Sequence, residues 1–353
     1  KWETQISTDI ALEFGLFDRL TGTIEYFKKD SKDLLFDVSQ PASVGVTSII
    51  QNIGKVTNSG VEIELDYNAF KNKDWSVSVG ANATFVKNKI KNLPATMKEN
   101  GYISGSKKWL EGKSIYEFWL RQWHGVDPQT GDGLYVADVS KYNQGNIGTG
   151  DGNITQSQFD EYKKTVVTID GKELTNSYTY AKYDFSGSSI PDVYGGFNVR
   201  VSYKNFELAA VFSYQLGGQI LDTNYATMMS MTEFGYAQSP DLLKAWKQAG
   251  DITEVPRIDN SAAHTTNIGQ SYSTRWLTSS DYLNLRSVTI GYQLPKTWLS
   301  KVMLKSARLN LTAENLFMLK ARQGLNPMAN YSGVTYNEYM PSRNITLGLN
   351  VSF

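Results

Sequence analysis

Apolar and polar residues alternate along most of this chain with a period of two, the period of a β-strand whose side chains point to opposite faces. From Trp2 to Phe14 the even positions read Trp2, Thr4, Ile6, Thr8, Ile10, Leu12 and Phe14, while Glu3, Gln5, Ser7, Asp9, Ala11 and Glu13 fill the odd ones. The rhythm returns with Gly22, Ile24 and Tyr26, and with Val61, Ile63, Leu65 and Tyr67 against Glu62, Glu64, Asp66 and Asn68. It continues through Trp75, Val77, Val79 and Phe85, through Phe197 to Tyr203, and through Phe206, Leu208, Phe212, Tyr214 and Leu216. Val288, Ile290 and Tyr292 carry it next, with Arg286 as the member that breaks the series, then Leu309, Leu311 and Ala313. Ile345, Leu347, Leu349, Val351 and Phe353 close it. The pattern predicts nine strands. Most run about 9 to 14 residues, longer than the usual 5–6 of a soluble sheet and long enough to cross a bilayer at a tilt.

The connections separate a membrane barrel from a soluble sandwich. Short ones (residues 15–20, 71–74, 204–205 and 295–305) alternate with long ones at about 30–56, 86–191, 217–280 and 318–342. With antiparallel neighbours, all short turns fall at one end and all long loops at the other. Outer-membrane barrels segregate their loops this way, with the long ones extracellular, whereas both ends of a soluble sandwich face the same water. The expected fold is therefore all-β, a transmembrane antiparallel β-barrel. Residues 86–191 begin and end on the same side, so they hold zero or two further spanning strands, with 115–123 and 175–185 as the candidate pair.

Composition narrows the function. Lys+Arg and Asp+Glu number 35 each, which leaves no electrostatic footprint for nucleic acid. The absence of Cys and the presence of only two His, His124 and His264, remove thiolate chemistry and leave no histidine metal site. No apolar run approaches the length of a spanning helix. Thr346, Gly348, Val351 and Phe353 give a polar residue, a glycine and two apolar residues ending on an aromatic. This is the pattern read by the barrel-assembly machinery in a last strand.

Several motifs carry a family resemblance. They include Gly15-Leu16-Phe17-Asp18-Arg19-Leu20, Asn52-Ile53-Gly54, Asn58-Ser59-Gly60-Val61-Glu62-Ile63 and Gly125-Val126-Asp127-Pro128-Gln129-Thr130-Gly131. Further along come Tyr194-Gly195-Gly196-Phe197, Tyr282-Leu283-Asn284-Leu285-Arg286, Gly291-Tyr292-Gln293-Leu294-Pro295 and Glu314-Asn315-Leu316-Phe317. In number and order they resemble the C-terminal half of the barrel of SusC/RagA-type TonB-dependent outer-membrane transporters. The resemblance implies a 22-stranded barrel with an N-terminal plug, a SusD-like surface lipoprotein lid, and TonB-driven import of glycan oligomers or peptides across the bacterial outer membrane. No plug or TonB-contacting segment is visible in the 353 residues. An odd number of strands, too few for such a wall, reads as the C-terminal portion of a chain two to three times longer.

The candidate sites are few. The Asp151-Gly152-Asn153-Ile154-Thr155 stretch looks like the middle of a calcium loop, yet Ile147 and Thr149 occupy early ligand positions and Gln158 stands where a bidentate Glu is wanted. A plain loop is favoured. Glu62, Glu64 and Asp66 are spaced to share one strand face, which suits a water-facing wall better than two acids flanking a scissile bond. His124 lacks a partner at fixed spacing. No cofactor or catalytic constellation is expected, and the protein is read as no enzyme. Apolar-face aromatics near strand ends (Trp2, Phe14, Tyr26, Trp75, Phe85, Tyr203, Phe206 and Tyr292) suit an interfacial girdle. The loop aromatics Trp109, Trp119, Trp123, Tyr225, Trp246, Tyr331 and Tyr336 are the substrate-facing candidates, against the simpler role of cores within ordered loops. The Gln238–Ala249 stretch, with Leu242, Leu243, Ala245 and Trp246, reads as a short helix after Pro240, which favours packing for Trp246. The alternatives to an active importer are a passive porin and a soluble carbohydrate-binding β protein.

Overall fold

The computed structural model describes the chain apart from residues 1, 40–47, 151, 231–234, 236, 262–263, 265–266, 270–271, 300–303 and 337. Each strongly alternating segment is a long strand: β1 Thr4–Leu16, β2 Leu20–Ser39, β3 Ser48–Lys71, β4 Trp75–Asn92, β5 Val193–Tyr203, β6 Phe206–Leu216, β7 Tyr282–Gln293, β8 Ser306–Lys320 and β9 Asn344–Ser352. They pair antiparallel in chain order as one nine-stranded sheet. Within it β1 and β9 have a single neighbour each. Register is specified because slipping by one residue would turn every apolar side chain to the polar face.

The two faces have the polarity of a membrane wall. Ile10, Leu12, Leu208, Ile290, Leu347 and Leu349 all stand exposed on the apolar face. Near the short-turn end the register sets Trp75 beside Tyr203, Tyr203 beside Phe206, and Phe206 beside Tyr292. Ring centroids are 4.4 Å apart in the first of these pairs and 4.5 Å in the last. Such a row fits an interfacial girdle. On β2 and β3 the apolar stripe ends where Asp30 meets Lys28 at 3.6 Å and Lys55 at 3.7 Å. The opposite face is acidic on the first strands, with Glu25 directly across from Glu62 and Thr23 from Glu64. Further along it is paired, Glu207 lying 3.2 Å from Arg308.

Glycines in the family motifs have steric reasons. A Cβ on Gly195 would run into the Asn82 carbonyl, and one on Gly60 into the Phe85 carbonyl and the Phe27 ring. Tyr214 stands opposite Gly195 and its hydroxyl donates to the Asn82 carbonyl at 3.0 Å, so an aromatic ring covers the bare glycine. Arg286, which breaks the alternation, is the extra residue of a bulge. Val211 pairs with Ser287 and Phe212 with Leu285, so the series passes from Val288, Ile290 and Tyr292 to Leu283 and Leu285.

The long connections are structured. Much of the loop expected over 30–56 is ladder, because β2 and β3 remain paired from Asp30 and Thr57 out to Ser39 and Ser48. The connection between β4 and β5 adds no strand to the wall, since those two strands pair directly. Segment 115–123 contains the strand Glu117–Arg121, and 175–185 overlaps the start of its partner Tyr183–Ser188, but these pair in a separate four-stranded sheet with Tyr102–Ser104 and Lys107–Trp109. At five and six residues they are too short to span. A second four-stranded sheet joins Trp123–Val126, Gly133–Val136, Val166–Ile169 and Lys172–Thr175. The helix α1, Gln156–Thr165, starts at a capping box of Thr155 and Gln158. Phe118, Leu120, Leu221 and Trp276 lie in one buried cluster that joins this connection to residues after β6, and Tyr142, Ile154 and Tyr162 in another.

Candidate functional site

The loop body gathers the aromatics singled out from sequence into separate clusters. Trp109 packs edge-on to Phe36 at 5.9 Å, lies 5.4 Å from Tyr102, and lines a cavity of about 360 Å³ with Met97 and Ile115. Trp119 lies nearly parallel to Tyr183 at 6.2 Å and edge-on to Phe185 at 4.9 Å. Lys108 Nζ sits 4.0 Å from the Trp119 ring centroid. Trp123 is edge-on to Tyr135 at 5.1 Å. The Arg275 guanidinium lies between Trp123 and Trp276, 4.7 and 4.3 Å from their rings. Tyr225 meets Trp276 edge-on, donates to Asp241 at 2.7 Å, and carries Arg322 3.6 Å above its ring. Arg322 in turn pairs with Asp222.

Trp246 is a packing residue. Its indole N–H donates to the Pro128 carbonyl at 2.9 Å, and its ring lies so close over Gly131 that a Cβ there would collide with it. The Asp127-Pro128-Gln129-Thr130-Gly131 motif is thus the seat of this tryptophan, its Asp127 carboxylate accepting from Gln129 N–H and the Thr130 hydroxyl. The short helix expected after Pro240 is Pro240–Lys244, a 3-10 turn that ends before Trp246. Tyr331 meets Tyr116 edge-on at 5.1 Å and stands half exposed; Tyr336 is more exposed still. Tyr331 is partly desolvated, which pushes its phenol up to about 12. His124 is exposed, whereas His264 is buried with Nε2 2.8 Å from the Arg257 carbonyl.

The calcium question rests on Asp151, which lies outside the described residues. Gln158, at the position a bidentate Glu would take, is occupied in capping α1. Glu62, Glu64 and Asp66 share the polar face of β3, across from Glu25, Thr23 and Thr21. On β9, Thr346 pairs with Thr312 and Gly348 with Asn310, and Val351 falls on the exposed apolar face with Phe353 beyond the last paired residue.

The loop body also holds cations on aromatic rings, an arrangement that no motif or period in the sequence marks. Buried Lys107 places Nζ 3.2 Å from the Phe118 ring centroid and donates to the Tyr116 carbonyl at 2.8 Å. Burial pushes its ammonium down to about 7, with Glu117 opposing. Burial likewise lowers Arg275, to about 10, and raises the Tyr135 phenol. Trp119 and Arg121 stand two apart on a strand and so share a face, but the rings that hold Arg121 are those of Tyr178 and Tyr183.

Sheet and loops together define a wall segment of a transmembrane β-barrel with large ordered loops gathered at one end. The family model described as TonB dependent receptor-like, beta-barrel matches residues 1–316, and the chain belongs to that family. TonB-dependent receptor P3 of Formosa agariphila is 29% identical over the whole chain, which covers 34% of that protein. TonB-dependent receptor SusC of Bacteroides thetaiotaomicron is 24% identical over the whole chain and 32% of its own length. Among solved structures, the RagAB peptide importer in the closed-closed state matches with a TM-score of 0.78 at 26% identity, over all of this chain and 36% of that one. These matches bear out the resemblance to SusC/RagA-type transporters read from the motifs. The chain spans about a third of the length of the curated relatives it matches.

Proposed function

We propose that this chain forms wall and outer loops of a TonB-dependent importer in the bacterial outer membrane that takes up oligomeric nutrients, glycans or peptides. The observation that carries the reading is the pairing of a sheet whose apolar face is exposed with an ordered, aromatic-rich body confined to its long-loop end. The first suits a bilayer wall. The second exceeds what a simple diffusion channel requires and gives cargo something to bind. The long loops face the outside, a SusD-like lipoprotein closes over them, and coupling to TonB runs through protein beyond these residues. Of the loop aromatics, Tyr331 and Tyr336 have the exposure for cargo contact, and the half-buried Trp109, Trp119 and Trp123 border the same body. Tyr225 and Trp246 hold it together. Thr346, Gly348, Val351 and Phe353 serve as the assembly signal.

The test is uptake of the cognate oligomer by cells carrying the full-length protein, with and without TonB. Uptake should collapse when TonB is removed. Uptake that continues unchanged overturns the importer in favour of a passive channel.

A further inference from the structure

The loop sheet that contains Trp119 presents an unusual face. Strands Glu117–Arg121 and Tyr183–Ser188 pair with Arg121 opposite Tyr183 and Trp119 opposite Phe185, so these four side chains share one side. Phe118 and Leu120, pointing the other way, are fully buried. Three cations lie against the rings. Lys108 Nζ is 4.0 Å from the Trp119 centroid and Lys113 Nζ 4.6 Å from that of Phe185. Arg121 Cζ is 4.7 Å from the Tyr183 centroid and 4.9 Å from that of Tyr178, and its Nε donates to the Tyr178 carbonyl at 3.0 Å.

What these cations lack is a carboxylate in direct contact. Among the described residues none of the three forms an ion pair with a carboxylate, whereas Arg257 pairs with Asp132 and Asp259, Arg322 with Asp222, and Lys244 with Asp241. Asp184, on a neighbouring position, pairs with Lys182 at 2.9 Å, and Lys113 acts on it only from beyond ion-pair distance. Glu117 is the remaining acid on the strand of Trp119 and Arg121. An aromatic ring fixes a cation through its quadrupole but does not cancel the charge. The result is a row of three positioned positive charges with no direct ion pair among the described residues, against the one carboxylate of Glu117 on the same face, on a chain whose formal net charge is zero.

We propose that this strip is a subsite for anionic cargo, an oligomer carrying carboxylate or sulfate groups, with Lys108 and Lys113 as its charge-reading residues. The proposal rests on the importer reading and adds to it a cargo class. Charge-assisted contacts of this kind are strong and preorganised. Two sources supply the chemistry, an acidic glycan and an acidic peptide.

The experiment uses the purified full-length transporter and four probes measured by calorimetry: oligogalacturonate, its neutral methyl ester, a glutamate-rich peptide, and the same peptide with its side chains amidated. In the wild type at least one anionic probe should bind about tenfold or more tightly than its neutral twin, a difference of about 1.4 kcal/mol. The double variant Lys108→Gln/Lys113→Gln should lose that preference, while Lys164→Gln, whose lysine pairs with Glu161, should keep it. A preference for oligogalacturonate assigns the source as glycan, and one for the glutamate peptide as peptide. Equal binding of charged and neutral twins, no binding of any probe, or a preference that survives in the double variant overturns the subsite. The importer reading fails separately, if uptake proves independent of TonB while anion binding stands.

Discussion

The wall and the loop body obey the same hydrophobic effect with opposite geometry. In the wall Ile10, Leu12 and Ile290 point away from the polar face and are exposed, so their burial requires lipid. In the loop body Phe118, Leu120 and Leu221 are buried against one another, as in any water-soluble domain. Charges differ as well. The wall sets Glu25 and Glu62 side by side on the polar face of β2 and β3 and ties Asp30 to Lys28 and Lys55 at the end of the apolar stripe, whereas the loop body holds several cations on aromatic rings. One chain therefore contains a part that needs a membrane and a part that carries its own core. The two should fail independently.

The largest effect expected on one side alone comes from Phe118→Ala. Phe118 is fully buried and supports Lys107 on its ring, so truncation should cost about 3–5 kcal/mol. In the full-length protein, limited proteolysis should cut the loops far faster while the barrel keeps its folded, heat-modifiable gel mobility. Loss of both together would break the division into two parts. Next comes Ile290→Arg, on the apolar face of β7 and 48% exposed. A charge facing lipid costs about 2–4 kcal/mol at mid-bilayer and less towards the interface; Ile290 stands one step inside the girdle residue Tyr292, and the yield of assembled barrel should drop. Leu243 is 79% exposed on a loop, and Leu243→Arg should change stability by no more than about 0.5 kcal/mol. Equal effects from the two arginines, measured by denaturant unfolding, would refute the assignment of different solvents to the two surfaces.

The same contrast explains what the amino-acid order discloses. A sheet with lipid on one side and polar contacts on the other imposes a strict period of two, so all nine wall strands are legible from Ile10 to Leu349, and Arg286 is visible as a fault even before the bulge is known. The loop core has no such period. Glu117–Arg121 alternates in burial but runs three apolar residues in a row, and its shortness and its pairing away from β4 and β5 separate it from a spanning strand. The helix expected over 238–249 points to packing for Trp246, yet the helix stops at Lys244 and the seat of the ring on Gly131 depends on a contact more than a hundred residues away in the chain. The Trp119 strip depends likewise on Tyr183 and Phe185 arriving from a distant strand.

Lys107 sharpens the contrast through pH. Burial lowers its ammonium from 10.5 to about 7, with Glu117 acting in the opposite sense. Between these two values the unfolded loop binds one more proton than the folded one, so loop stability should rise with pH across that window, at up to about 1.4 kcal/mol per unit. Below the lower value both states are protonated and the slope vanishes. Lys107→Met keeps an apolar stem against Phe118 and should flatten the rise. Amide-exchange protection of residues 117–121, compared at pH 7 and 9 in both proteins, is the measurement. A wild-type profile as flat as that of the variant would show that Lys107 titrates normally.

The smallest effect tests the wall itself. Tyr214 lies across Gly195 from the neighbouring strand, and its hydroxyl reaches the Asn82 carbonyl one strand further on. Tyr214→Phe keeps the ring over the glycine and removes only the hydrogen bond, so it should cost about 0.5–1.5 kcal/mol. Gly195→Ala should cost more, because its Cβ runs into that same carbonyl and the backbone must move. If covering the glycine were the whole purpose of the ring, Tyr214→Phe would be silent. If the hydroxyl ties three strands together, the variant barrel should unfold at lower denaturant while the loop body keeps its resistance to protease. That pattern is the reverse of the one expected from Phe118→Ala, and together the two variants separate a wall held by its ladder and lipid from a body held by its core.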